Sequence, residues 1–172
     1  MTESSPRPVV LDMWCDLQCP DCHRAESDVR ALREQFGDAL ELRRRHFPLA
    51  SHPHALAAAQ AAEEAYAQGH GEAYWTALLA RTGELGERGP RLLTELAAEL
   101  GMDAAEVDTA LIDGRHLLAV DADHAEGQAL GVTGTPTYVI GGQRLDGGRS
   151  QEGLRERIAG IAGSLLSQRS DL

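Results

Sequence analysis

The stretch Trp14-Cys15-Asp16-Leu17-Gln18-Cys19-Pro20-Asp21-Cys22-His23 holds every cysteine of the 172-residue chain. An apolar run ends there and an amphipathic helical pattern begins, so the thiols stand at a strand-to-helix junction. Cysteines gathered at one junction and used nowhere else point to chemistry at that junction more than to a disulfide framework. Four readings fit the letters: a redox dithiol, a metal or iron-sulfur site, a haem attachment site, and ordinary buried cysteine.

Upstream, Val9-Val10-Leu11-Asp12-Met13-Trp14 is short, mostly apolar and partly β-branched, and predicts a buried strand ending at the cysteines. Downstream, Cys22, Ala25, Val29, Leu32 and Phe36 recur at helical spacing and stop before Gly37. Pro20 suits a first helical turn, which puts Cys19 at the helix N-terminus and Cys22 one turn in on the apolar stripe. One thiol is then presented and the other sheltered. A second strand is expected over residues 39 to 47, closed by Pro48.

Residues 53 to 130 read as successive helices at 55 to 68, 72 to 79, 90 to 100, 103 to 112 and 116 to 130, without a constant repeat period. Thereafter the pattern returns to β at 137 to 140 and 143 to 145, joined by the hairpin signal Gly141-Gly142. Leu154, Ile158, Ile161 and Leu165 mark a closing amphipathic helix. The expected class is α/β, a mixed sheet flanked by helices.

The charge of -11 excludes nucleic acid or an anionic membrane as the main partner, since either calls for a basic face. All 16 cationic side chains are arginine. Without lysine there is no Walker A phosphate loop and no Schiff-base chemistry. Residues 1 to 8 read as a loose leader without a secretory pattern, and no apolar run approaches the ~20 residues that span a bilayer. A cytoplasmic protein is expected on that basis. There a catalytic or sensing pair is a better expectation than a structural disulfide.

A Cys-x-x-Cys at a strand-to-helix junction suits thiol-disulfide exchange because the thiolate is the attacking species. Cys19 at a helix N-terminus meets unpaired amides and the positive end of the helix dipole, and Cys22 stands where it can resolve a mixed disulfide. Cys15, Cys19 and Cys22 also fit Cys-x3-Cys-x2-Cys, a spacing similar to that of radical S-adenosylmethionine enzymes, though the repeated strand-helix units of that barrel are missing. Cys19-Pro20-Asp21-Cys22-His23 fits a c-type haem attachment pattern, yet the helix with a cysteine on its stripe accounts for the same residues.

Asp16 to Cys22, then Arg45-His46-Phe47-Pro48-Leu49, then Gly131-Val132-Thr133-Gly134-Thr135-Pro136-Thr137, in that order, resemble the DsbA-like branch of the thioredoxin superfamily over about residues 9 to 165. The resemblance implies a thioredoxin fold made of residues 9 to 49 and 131 to 172, with an inserted all-helical domain at 50 to 130. It implies a protein-disulfide oxidoreductase in which Cys19 is the nucleophile and Cys22 the resolving thiol. Thr135 and Pro136 would dock an extended substrate segment, in a loop whose proline is usually cis in the family. Protein or small-thiol disulfides are the implied substrates, with an electron partner the sequence leaves open. No cofactor and no metal ligands are implied.

This chain departs from the family pattern in places. Many relatives carry a buried acid where Met13 stands. An acid at the Asp12 position, before a motif similar to Trp14-Cys15-Asp16, occurs in the FrnE-like subgroup, so Asp12 is a candidate proton shuttle, although strand alternation aims it at the opposite face. Pro20, Asp21 and His23 are expected to tune the pair. Asp21 opposes a Cys19 thiolate by about 3 kcal/mol at most, taking ~6 Å and an effective ε near 20, while a protonated His23 works the other way. A weaker oxidant is expected. Cys15, where a small residue is usual, is either a buried hydrophobe or a third redox thiol. The alternative to an enzyme is a non-catalytic redox-sensing or metal-binding protein using all three thiols. His46 is assigned a structural role, His52-Pro53-His54 a turn, Tyr74 and Trp75 core positions, and Arg43-Arg44-Arg45 a solvated edge.

Overall fold

The computed structural model describes residues 7–149 and 151–170. The expected leader therefore lies mostly outside the described residues. The first strand, β1 (Val9–Cys15), is followed by α1 (Pro20–Phe36), a 3-10 turn at Gly37–Ala39 and β2 (Leu40–His46). Six helices come next: α2 (Ala55–Ala67), α3 (Gly71–Leu79), α4 (Thr82–Arg88), α5 (Pro90–Glu99), α6 (Ala104–Asp113) and α7 (Leu117–Ala129). The chain closes with β3 (Thr137–Ile140), β4 (Gln143–Asp146) and α8 (Leu154–Ser170).

The four strands form one sheet in the order β2-β1-β3-β4. β1 and β2 run parallel, which requires a long crossover, and α1 supplies it. β3 is antiparallel to both β1 and β4. Gly141 and Gly142, at φ of 55° and 74°, make the tight turn between β3 and β4, where side chains other than glycine are strained.

Alternation along β1 sends Val9, Leu11, Met13 and Cys15 into the main core, with Cys22, Ala25, Val29 and Leu32 of α1 packed against them. That core continues without a break into the helical block through Ala58, Tyr74, Trp75, Leu78 and Leu92. The other face of β1 carries Trp14, which packs with Phe47 and Val132. Trp14 Nε1 donates to the Asp123 carbonyl at 2.8 Å. α7 passes so close that a Cβ at Gly127 would stand 2.7 Å from Nε1.

Three expectations need correction. β1 runs one residue further than expected, so Cys15 is a strand residue paired in register with His46. α4 was not expected, because Gly83 and Gly86 each cost a seven-residue helix ~1 kcal/mol relative to alanine. Burial of Leu85 and the ion pairs of Glu84 with Arg81 (2.7 Å) and Arg88 (2.6 Å) hold it. Arg43-Arg44-Arg45 is on an edge strand but is not a solvated edge. Arg44 has a side chain 1% exposed, reaches Glu26 of α1 at 2.8 Å and Glu72 of α3 at 2.9 Å, and lies over the Trp75 ring. Burial alone would raise the Glu72 carboxyl, but the Arg44 and Arg33 guanidiniums beside it pull it down to about 2.

Candidate active site

The segment between β1 and α1 is fixed by Asp16. Its buried carboxylate accepts from the Gln18 N–H (2.7 Å) and the Leu49 N–H (2.8 Å), and meets His52 Nδ1 at 2.8 Å. Gln18 Oε1 accepts from the His54 N–H at 2.8 Å. The loop after β2 is thereby tied to the loop after β1, and Cys19 is held as the N-cap of α1 with extended backbone at φ -82°, ψ 121°. Its carbonyl accepts from the Cys22 and His23 N–H groups at 3.1 and 3.3 Å.

Cys19 Sγ contacts the Thr135 carbonyl oxygen at 3.9 Å. The Thr135–Pro136 peptide bond is cis, and Thr135 is buried. A cavity of about 590 Å3 opens over this contact, its wall including Cys19, Asp21, Arg24, His52, Thr135 and Arg149. The structure thus brings Cys19, Pro20, Asp21 and Thr135 to one cavity, with Pro136 behind Thr135.

The expected contrast between a presented Cys19 and a sheltered Cys22 is reduced. Relative exposures are 4% for Cys19 and 0% for Cys22, because the Thr135 loop covers the helix start. All three thiols are free and buried. Cys22 has Cys19 and Cys15 as neighbouring thiols, each of which acts on its ionisation.

These neighbours set the electrostatics. The Cys22 thiol is the largest influence on Cys19, followed by burial, and together they push the Cys19 thiol well above the ordinary range; the Thr135 side chain and the Cys22 backbone N–H pull the other way without prevailing. For Cys22, burial comes first and the Cys15 thiol second, and the Cys22 thiol is also raised. Asp21, expected to act on Cys19, is paired with Arg24 of the next turn.

Other residues singled out from the sequence lie elsewhere. Asp12 is on the face of β1 away from Cys15, its carboxylate bound to Arg45 at 2.9 Å. His23 is exposed and borders a separate groove with Glu26, Arg30 and Arg33. His46 is buried beneath the ring of Trp75 (4.7 Å between centroids) with Nε2 2.8 Å from Glu63. Among the described residues no group of three or more His, Cys, Asp or Glu side chains is placed to hold a metal ion. None of the described helices is long and apolar enough to cross a membrane. Sequence reasoning missed His52 and Arg149 as cavity residues. The signal for His52 was its place just after Pro48-Leu49, within reach of a buried Asp16.

The model of the DSBA-like thioredoxin domain matches residues 10–57 and 50–159. The chain belongs to the DSBA-like thioredoxin family. It is 35% identical over 169 residues to the Na(+)/H(+) antiporter NhaA 1 of Salinispora arenicola, covering 95% of this chain and 25% of that protein. It is 36% identical to the NhaA 3 antiporter of Salinispora tropica over 157 residues, covering 88% and 23%. The DSBA-like chain thus spans about a quarter of the length of these relatives.

Among solved structures, a thioredoxin-like oxidoreductase from Silicibacter pomeroyi is similar with a TM-score of 0.71 at 25% identity, covering 88% of this chain and 84% of that one. Oxidised BdbD from Bacillus subtilis reaches a TM-score of 0.79 at 18% identity, covering 93% and 90%. The α/β architecture matches these solved thioredoxin-like structures.

Proposed function

We propose that this chain catalyses thiol-disulfide exchange through Cys19 and Cys22, with protein or low-molecular-weight thiols and disulfides as substrates. The observation that carries the proposal is the placement of Cys19 at the start of α1, backed by Cys22 and opening with Thr135 into one cavity. In the reducing direction Cys19 Sγ attacks one sulfur of a substrate disulfide and the other leaves as a thiolate. Cys22 Sγ then attacks Cys19 Sγ, the second substrate thiol departs, and the Cys19–Cys22 disulfide remains. In the oxidising direction the same steps run in reverse. The loop around Thr135 and Pro136 is the proposed substrate dock.

The test is turnover in dithiol-driven insulin reduction and in oxidation of a dithiol peptide. Cys19→Ala is expected to abolish both, whereas absence of turnover by the unmodified protein in either assay rejects the enzyme reading. A redox sensor using all three thiols is the second reading, favoured by one observation, the burial of three free cysteines together between the end of β1 and the first turn of α1. The antiport activity named for the longer relatives is not part of the proposal.

A further inference from the structure

The loop after β4 is pinned to the loop that carries the cis peptide bond. The Gly147 N–H donates to the Pro136 carbonyl at 2.8 Å, and a Cβ at Gly147 would stand 2.7 Å from that same oxygen, so only glycine lets the two segments come this close. Beyond it, Gln151 Nε2 donates to the Gly148 carbonyl at 2.6 Å and closes the turn around Arg149. Arg149 is thereby placed on the wall of the cavity that holds Cys19 and Thr135.

Most of the charge on this wall is already paired. Asp21 is bound to Arg24, Asp146 lies 3.2 Å from Arg144 Nε, and His52 is engaged by Asp16 at 2.8 Å. Arg149 is exposed and makes no ion pair or hydrogen bond among the described residues. A guanidinium has donors only, in a rigid fork that matches a carboxylate. Cys19 is 4% exposed, so a disulfide has to enter the cavity to reach its sulfur. The volume of about 590 Å3 is of the size that encloses a small molecule.

We propose that Arg149 is a specificity residue of the exchange site and selects low-molecular-weight disulfides that carry a carboxylate. The proposal rests on the exchange reading given above and names its substrate class. The substrate carboxylate accepts from the Arg149 guanidinium while the S–S bond lies beside Cys19. Arg149 takes no part in the bond exchange. Reduced protein and one small disulfide give the Cys19–Cys22 disulfide and two small thiols, the two electrons and two protons coming from the protein thiols. The overall charge of -11 by itself favours cationic substrates, so a preference for anionic ones reports on the cavity and not on the long-range field.

The test mixes the reduced protein with oxidised glutathione, bis(2-hydroxyethyl) disulfide or cystamine, which are anionic, neutral and cationic. The rate of Cys19–Cys22 disulfide formation is followed by mass spectrometry after acid quenching, with insulin reduction measured alongside. Arg149→Gln is expected to slow oxidation by glutathione disulfide about tenfold, the worth of one charge-assisted hydrogen bond, while the neutral and cationic disulfides react as fast as with the unmodified protein. Arg91→Gln, on exposed α5, makes the same change in net charge away from the cavity and should leave all three rates unchanged. Equal slowing of all three disulfides by Arg149→Gln, slowing of none, or the same glutathione effect in Arg91→Gln overturns the proposal. A defect confined to insulin also overturns it, because the residue then serves protein substrates. If none of the three disulfides oxidises the unmodified protein, the exchange function itself is rejected and the specificity role falls with it.

Discussion

Cys19 Sγ and the Thr135 carbonyl oxygen lie 3.9 Å apart across 116 positions of sequence. The helix start and the loop before β3 meet there. The sheet makes the meeting obligatory: β1 delivers the cysteines at its C-terminal end, and β3 pairs with β1 with Thr137 opposite Trp14.

Cys22→Ala should trap the first half-reaction. With the resolving sulfur removed, the mixed disulfide between Cys19 and a substrate accumulates, and mass spectrometry of the unreduced protein detects it as an adduct on the Cys19 peptide. Insulin turnover is expected to fall at least 100-fold, and an adduct on Cys15 in place of Cys19 would reassign the nucleophile.

The raised thiols give the reduced protein a pH signature. A thiol whose folded pKa is raised leaves stability intact below its unfolded pKa, and stability is then lost as pH rises above about 8.5. Cys19 and Cys22 are both raised. Each contributes a slope of about 1.4 kcal/mol per pH unit in that alkaline window. Thermal unfolding from pH 7 to 10.5 should show the reduced form losing stability faster than the Cys19–Cys22 disulfide form, which lacks both acids. Parallel curves for the two forms would contradict the electrostatics.

Arg44→Met should destabilise the fold by about 3 kcal/mol, because it leaves Glu26 and Glu72 facing each other without their shared cation. Urea unfolding at pH 7 checks this. For Glu72 the sign runs the other way from the thiols: its pKa, lowered to about 2, contributes stability present above about pH 4.3 and lost as pH falls through 2. The acid limb of the stability curve should therefore flatten in the variant.

Cys15 separates the two functional readings. In Cys19→Ala, mild oxidation is expected to join Cys15 to Cys22, since both thiols are free and buried and Cys15 is close enough to act on the Cys22 thiol. Disulfide mapping after treatment with oxidised glutathione reads the outcome. If unmodified protein forms only Cys19–Cys22 and the variant forms no internal disulfide, the third-thiol switch is excluded.

Much of the fold was legible because its elements are locally consistent. Gly37 stops α1 at a positive φ of 51°, Pro20 opens the same helix, and Gly141-Gly142 turns the final hairpin, each for a backbone reason visible in the letters. What stayed hidden is tertiary. Arg44 is buried only because α1 and α3 bring Glu26 and Glu72 to it, and α4 forms against its glycines because Leu85 has a core to enter. At the site, Cys19 and Thr135 were readable from motifs. The Asp16–His52 contact was not, because neither residue belongs to a periodic pattern and the bond depends on two loops meeting. The cause of the raised Cys19 thiol was equally hidden, since it follows first from the Cys22 thiol beside it and then from burial.

The most direct test of the central claim is equilibration of the protein with glutathione at defined potentials, with the Cys19–Cys22 disulfide quantified by mass spectrometry. A strong oxidase owes its high potential to a stabilised thiolate in the reduced form, and the buried, hydrogen-bonded Cys19 lacks that stabilisation. One two-electron transition linking Cys19 to Cys22 is expected, at a potential below about -180 mV. A potential near about -120 mV, or no Cys19–Cys22 disulfide at any poise, would contradict it.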